Sequence, residues 1–216
     1  MLTITLAGES LMLLIDKAAY LPARRTLLIA DAHIGKAVSF RRLGVPVPQG
    51  TTSESLARLT TLVAQLGAQR IVFLGDFLHS AHAQAADTQA AVARWRDAHR
   101  DVHLTLVRGN HDDRAGDPPA ALGIEVVDEP LHLGPWALCH HPQPVAEGYV
   151  LAGHLHPCVV LRGRARDRLR LPCFLFGDRV GVLPAFGAFT GMHPIEPKPQ
   201  DRVYAVTPTG VAQVSP

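Results

Sequence analysis

Five short apolar runs in this chain end in the same few residue types, and no other feature restricts its possible folds as strongly. Leu27–Ala30 leads into Asp31-Ala-His33, and Ile71–Leu74 into Gly75-Asp76. His103–Val107 is followed by Arg108-Gly-Asn-His-Asp112, Trp136–Cys139 by His140-His141, and Tyr149–Ala152 by Gly153-His-Leu-His156. Apolar runs of this length bounded by turn formers read as buried strands. In open α/β sheets the functional crevice lies outside the carboxyl ends of the strands, so groups placed there converge although they are scattered in sequence. The chain is expected to bring these five strand ends to one site.

Taken singly, each motif is also ordinary turn chemistry, since Asp, Asn and Gly commonly follow a strand. Their shared placement, with no Ser, Thr or Lys in their stead, points to a metal site. Aspartate, histidine and an asparagine carbonyl form a mixed oxygen and nitrogen donor set. That set suits manganese, iron or zinc, and suits neither a Cys-rich structural zinc nor an all-oxygen calcium site. Seven or more such donors exceed what one ion needs. They match two ions that share a carboxylate and keep positions open for water and substrate.

Further strands are expected at Leu2–Leu6, Leu11–Ile15, Ile124–Val127, Val159–Leu161, Phe174–Phe176 and Tyr204–Val206. One helix is expected to start from Ser53 as its cap, with Leu56, Leu59, Leu62, Val63 and Leu66 at helical spacing; a second covers about Ala85–His99. The β-α-β-α-β order of the first half predicts a mainly parallel sheet, and the shorter connections of the second half predict more sheet and hairpins. The expected fold is α/β: a layered α-β-β-α sandwich, two mixed sheets flanked by helices, formed by a single domain over residues 1–216. A chain of 216 residues with 47% hydrophobic content has the material for such a core. Pro194–Pro199 reads as a stiff connector before a final strand pair.

No apolar stretch approaches the roughly 18 residues of a membrane span, and no signal-peptide pattern opens the chain, so a cytoplasmic protein with no membrane partner is expected. Cys139, Cys158 and Cys173 lie in apolar runs and read as buried thiols. The formal charge of +2 leaves an anionic partner open.

The ordered set Asp-x-His, Gly-Asp, Gly-Asn-His-Asp, His, Gly-His-x-His resembles the pattern of the calcineurin-like metallophosphoesterase superfamily. The resemblance implies that Asp31, His33, Asp76 and His156 hold one divalent ion. Asp76 as a bridge, with Asn110, His140 and His154, would hold the second. The ions implied are manganese, with iron and zinc as alternatives. His111 would be a non-ligand that contacts the scissile phosphate and protonates or stabilises the leaving oxygen, with Asp112 available to orient a neighbouring imidazole. Strand alternation lets only one of His140 and His141 face the crevice, and relatives with a His-His-Pro sequence use the first. Ala32 stands where many members have a larger apolar residue, a packing change that leaves the ligands intact. Gly153 is expected to supply the backbone freedom that turns both His154 and His156 inward.

The flanking text is similar to the ligase-associated DNA damage response endonuclease family, PdeM, over nearly the whole chain. Matching segments include Ile29-Ala-Asp-Ala-His-Ile-Gly-Lys36, Phe40-Arg-Arg-Leu-Gly-Val-Pro-Val-Pro-Gln-Gly50, Phe73-Leu-Gly-Asp-Phe-Leu-His-Ser80, Gly153-His-Leu-His-Pro157, Leu171-Pro-Cys-Phe174 and Leu183-Pro-Ala-Phe-Gly-Ala-Phe-Thr-Gly191. This implies an endonuclease that hydrolyses DNA phosphodiesters in repair, with a DNA ligase and a helicase as partners. A homodimer is also implied, since double-strand-processing relatives pair. Lys36, Arg41 and Arg42 would hold phosphates beside the metals, and His79 matches a Gly-Asp-x-x-His arrangement in which the histidine lies near DNA. The same constellation also serves small-molecule phosphodiesterases and pyrophosphatases acting on cyclic nucleotides or nucleotide-linked lipids, and a metal-stabilised scaffold without catalysis is a third reading. The alternating Arg162, Arg164, Arg166, Arg168 and Arg170 read as a charged hairpin tip. Phe186 and Phe189 are expected to pack, with Gly187 and Gly191 shaping the loop.

Overall fold

The computed structural model describes the chain apart from residues 43, 46, 48–49, 79–85, 164–167 and 215–216, and apart from the side chains of Ser39, Arg42, Ala115 and Arg162. His79, Arg164, Arg166 and the side chains of Arg42 and Arg162 therefore lie outside the described residues.

Among the described residues the first sheet has seven strands in sequential order: β1 (Leu2–Leu6), β2 (Glu9–Leu13), β3 (Ala19–Leu21), β4 (Thr26–Ala30), β5 (Arg70–Leu74), β6 (His103–Val107) and β7 (Ile124–Val127). Short turns make β1 to β4 antiparallel. From β4 to β7 the strands are parallel, because parallel neighbours need crossover connections and these carry helices. The helices are α1 (Lys36–Arg42), α2 (Thr51–Leu66), α3 (Ala86–Ala98) and α4 (Asn110–Ala115). The second sheet contains β8 (Leu131–Leu133), β9 (Trp136–Leu138), β10 (Tyr149–Ala152), β11 (Pro157–Arg162), β12 (Arg168–Phe176), β13 (Val180–Val182), β14 (His193–Pro194), β15 (Arg202–Thr207) and β16 (Gly210–Val214). Its order is β14-β11-β12-β13-β10-β9-β8, with β15 pairing β12 and β16.

Alternation along β4 explains the layering. All five of its residues are buried, as in a strand covered on both faces. Leu27 and Ile29 face α2 and α3, packing with Leu56, Leu59, Leu62, Val92 and Trp95. Leu28 and Ala30 face the second sheet, packing with Trp136, Leu138, Phe174 and Phe176. Trp136 is fully buried, and its indole N–H donates to Glu9 (3.2 Å), which also pairs with Arg24 (2.7 Å). This polar contact pins β9 to β2 across the sandwich. On its other face the second sheet carries a small cluster of Ala137, Cys139, Val150 and Ala152 with Val145 and Val180, and no helix among the described residues. The α2 and α3 layer thus lies on the first sheet alone.

Some expectations change. Helix α2 starts at Thr51, before Ser53, and its cap is Gly50 in the left-handed region (φ 92°); Ser53 lies in the first turn, where its hydroxyl is no longer the cap. Phe186 is fully buried as expected, whereas Phe189 is 46% exposed. The cysteines are free and buried, and burial pushes the Cys139 and Cys173 thiols up to about 12. The arms of the arginine hairpin, β11 and β12, pair antiparallel. No helix among the described residues is long and apolar enough to cross a membrane.

Candidate metal centre

The carboxyl ends of β4, β5 and β6 in one sheet, and of β9 and β10 in the other, meet at a single crevice. The chain turns sharply at each. Asp31, His33, Asp76, His154 and His156 all have positive φ, between 45° and 72°. This region is costly for side chains with a Cβ, and such strain persists only where surrounding structure over-determines it. Backbone hydrogen bonds do so here: the N–H of His33 donates to the Asp76 carbonyl (2.8 Å) and that of Ile34 to Phe77 (2.8 Å).

Two glycines make the close packing possible. Gly75 has φ 75°, and a Cβ there would lie 2.1 Å from Nδ1 of His140. Gly153 plays a different part from the one expected of it. The left-handed residues after β10 are His154 and His156 themselves, while Gly153 is needed for proximity, because its Cβ would fall 2.6 Å from the Asp31 carboxylate. The His154 N–H can thereby donate to Asp31 Oδ2 (2.9 Å).

The side chains form two groups. In the first, ligand atoms of Asp31, His33 and His156 lie within 4.8 Å of one another; His156 Nε2 is 3.5 Å from Asp31 Oδ1 and 3.4 Å from His33 Nε2. In the second, His140 Nε2 lies 2.9 Å from Asn110 Oδ1 and 3.0 Å from His154 Nδ1. Asp76 stands between them, Oδ1 3.6 Å from His140 Nε2 and Oδ2 3.8 Å from His33 Nε2. It also accepts the His111 N–H (3.0 Å). Asp31, Asp76 and His140 are buried.

The donor orientation favours cations. A carbonyl oxygen can only accept, so His140, whose Nδ1 is 3.0 Å from the Leu74 carbonyl, donates from Nδ1 and turns the Nε2 lone pair inward. His156 does the same through the Gly191 carbonyl at 3.1 Å. Lone pairs of imidazole, amide and carboxylate therefore face one another, an arrangement that divalent ions satisfy and that water-excluded protein alone would not favour. The residues present fit two divalent cations.

The adjacent histidines differ in burial and partners, although ligand atoms of His140, His141 and His154 also lie within 4.8 Å of one another. His140 is fully buried in the crevice. His141 is partly exposed, and its Nδ1 pairs with Glu129 Oε1 (2.7 Å), although its ring also stays near His154. Glu129 Oε2 accepts the N–H groups of both histidines (2.7 and 2.9 Å). This supporting carboxylate belongs to no motif, so only the fold reveals it. His154 has its pKa lowered, chiefly by burial and then by His140 and His141.

Asp112, expected to be available to orient an imidazole, accepts backbone N–H groups from Gly109 (3.0 Å) and Leu78 (3.2 Å). Burial raises its pKa to about 6 against those bonds. It clamps the start of α4 to the segment after β5, which sets His111 at the rim with Nε2 3.9 Å from Asp76 Oδ2. Lys36 opens α1 and is half-buried; burial lowers its pKa while Asp31 and Asp76 oppose the shift, which places its charge beside the crevice. Arg41 is exposed on the same helix.

The chain matches the calcineurin-like phosphoesterase family over residues 24–156, a span that contains all the donors named above. The crystal structure of Pseudomonas putida nuclease MPE is similar with a TM-score of 0.89 and 49% identity, over 99% of this chain and 99% of that one. Yfce, a phosphoesterase from E. coli, gives a TM-score of 0.41 and 16% identity over 88% of this chain and 98% of that one. No curated protein matches.

Proposed function

The chain belongs to the calcineurin-like phosphoesterase family and is a metal-dependent phosphoesterase; from that premise we propose that its substrate is DNA, cut as an endonuclease in DNA repair. The observation that carries the two-ion reading is the position of Asp76, whose two oxygens face different donor groups. Asp31, His33, His156 and Asp76 would hold one ion, and Asp76, Asn110, His140 and His154 the other. The ions would be manganese, which the mixed oxygen and nitrogen set accommodates.

Two cations held there supply Lewis acidity at the phosphate and lower the pKa of a water nucleophile. The protein's own groups do the rest. Asp76 and Asp31 fix the donors by accepting backbone N–H groups, which keeps them in place without reorganisation during reaction. His111 reaches the leaving oxygen from the rim and delivers its proton from Nε2. Asp112 is a positioning residue for His111 through its backbone clamp. Lys36 neutralises substrate phosphate next to the metals, and Arg41 extends that charge along α1. His79 and Arg42 complete the DNA contacts.

DNA as substrate is supported by the similarity to Pseudomonas putida nuclease MPE, over nearly all of both chains. We further assign the enzyme to the cytoplasm, as a homodimer acting with a DNA ligase and a helicase. Incubation of the manganese-loaded protein with single-stranded, duplex and flapped DNA, alongside bis-p-nitrophenyl phosphate and cyclic nucleotides, tests the reading. Cleavage of DNA is expected. Hydrolysis of the small diesters with every DNA left intact would overturn it.

A further inference from the structure

A cavity of ≈ 130 Å³ adjoins the metal centre, with His156 in its wall. It is close in size to the roughly 150 Å³ that admits a benzene ring. Lys17, Phe189, Thr190 and Met192 are among the residues that line it, and no step described above uses them.

Phe189 combines two costs. Its φ is 57°, a conformation uncommon for a bulky residue, and 46% of its surface is exposed. The loop that presents it is firmly tied to the cradle. The N–H groups of Phe186 and Gly187 donate to the carbonyls of Ala30 (2.8 Å) and Asp31 (3.1 Å), and the Gly191 carbonyl accepts from His156. Arg58 braces the loop from beneath, donating to the Phe186 carbonyl (2.6 Å) and stacking 3.9 Å from its ring. A strained aromatic on a rigid mount beside a reaction centre is a recognition element in waiting.

Lys17 supplies the complementary charge. It too has a positive φ, 62°, and its Nζ donates to the Gly187 carbonyl at 3.2 Å. That partner is a neutral carbonyl, and no salt bridge to Lys17 is formed among the described residues. Burial, with the nearby Arg58 charge adding to it, lowers its pKa to about 8, and an anion in the cavity would oppose that shift by favouring the ammonium form.

We propose that this cavity is the subsite for the nucleotide adjoining the scissile phosphodiester, with Phe189 stacking on its base and Lys17 receiving its outlying phosphate. The inference rests on the nuclease reading and gives it a substrate register: one nucleotide beyond the cut, on the His156 side. Stacking on an aromatic face accepts every base, so the subsite reads the presence of a base rather than its identity.

The test compares manganese-loaded wild type, Phe189→Ala, Phe189→Trp and Lys17→Met on single-stranded DNA, on the same strand made abasic, and on bis-p-nitrophenyl phosphate. Phe189→Ala is expected to raise KM for DNA by about 5- to 150-fold, to leave KM for the abasic strand and kcat for the small diester unchanged, and to be rescued by Phe189→Trp. Lys17→Met is expected to flatten the dependence of log KM on log salt by about 0.7. A wild-type KM for DNA in Phe189→Ala would overturn the subsite while leaving the nuclease reading intact. Equal losses on DNA, abasic DNA and the diester would also overturn it, because the loop would then act only through His156. A wild type that cuts the diester and spares DNA would defeat the nuclease reading itself, and the subsite with it.

Discussion

In the metal cradle, Asp31, Asp76 and His140 are withdrawn from solvent and tied down by backbone hydrogen bonds. At the rim, Lys36, Arg41, His111 and Phe189 keep more of their surface in water and sit on short helices or a loop. The cradle is held by both sheets, with donors from β4, β5 and the start of α4 on one side and from the ends of β9 and β10 on the other. The rim is held by whatever anchors each segment locally. On the proposed function the difference separates two tasks: the cradle fixes charges that must not move, and the rim meets a substrate. Damage to the cradle should lower hydrolysis of every phosphodiester alike. Damage to the rim should be felt most by DNA.

The largest expected effect is that of Asp76→Ala. Removing the carboxylate shared by both donor groups should lower kcat by roughly 10³-fold or more on DNA and on bis-p-nitrophenyl phosphate equally; a loss confined to DNA would break the distinction. His111→Ala follows, with kcat for DNA down by about 10²- to 10⁴-fold. The loss should be much smaller on the diester, whose p-nitrophenolate leaves without a proton, and bound manganese should be retained. Glu129→Ala tests the support beneath the cradle: it frees the N–H groups of His140 and His141, and about a 10- to 100-fold loss on both substrates is expected. Smallest is Lys36→Met, with about a 2- to 5-fold rise in KM for DNA, shrinking as salt is added, and a smaller rise on the diester, which carries a single phosphate. Steady-state kinetics on the two substrates reads all four.

The same division governs what the sequence discloses. The cradle was legible because its donors follow strand ends, and buried strands announce themselves as apolar runs; Leu27–Ala30, Ile71–Leu74 and His103–Val107 lie where expected. Its supports were not. Glu129 sits in a connection, and only the juxtaposition of that segment with β9 brings it to His140 and His141. In sequence Gly153 reads as a source of backbone freedom, whereas in the fold it is needed for proximity to Asp31 and the left-handed residues are His154 and His156 themselves. Strands β3, β8, β13 and β14 are two or three residues long, too short for periodicity to register. Helices α1 and α4 are short and polar, so their residues read as loops. Phe186 and Phe189 are three residues apart in one loop, and only tertiary contacts sort them: Phe186 is stacked under Arg58 and buried, and Phe189 is left in solvent.

The proposed metal assignment has two ions share Asp76, with the Gly153-His-Leu-His156 loop contributing one imidazole to each. Metal content after manganese loading and removal of free ion, measured for wild type, His154→Ala, His156→Ala and Asp76→Ala, tests it most directly. Two ions per wild-type chain are expected, one in each histidine variant with a different site emptied, and none held tightly once Asp76 is gone. Equal loss of both ions from each histidine variant, or two ions persisting in Asp76→Ala, would rule out a shared Asp76 with one imidazole on each ion.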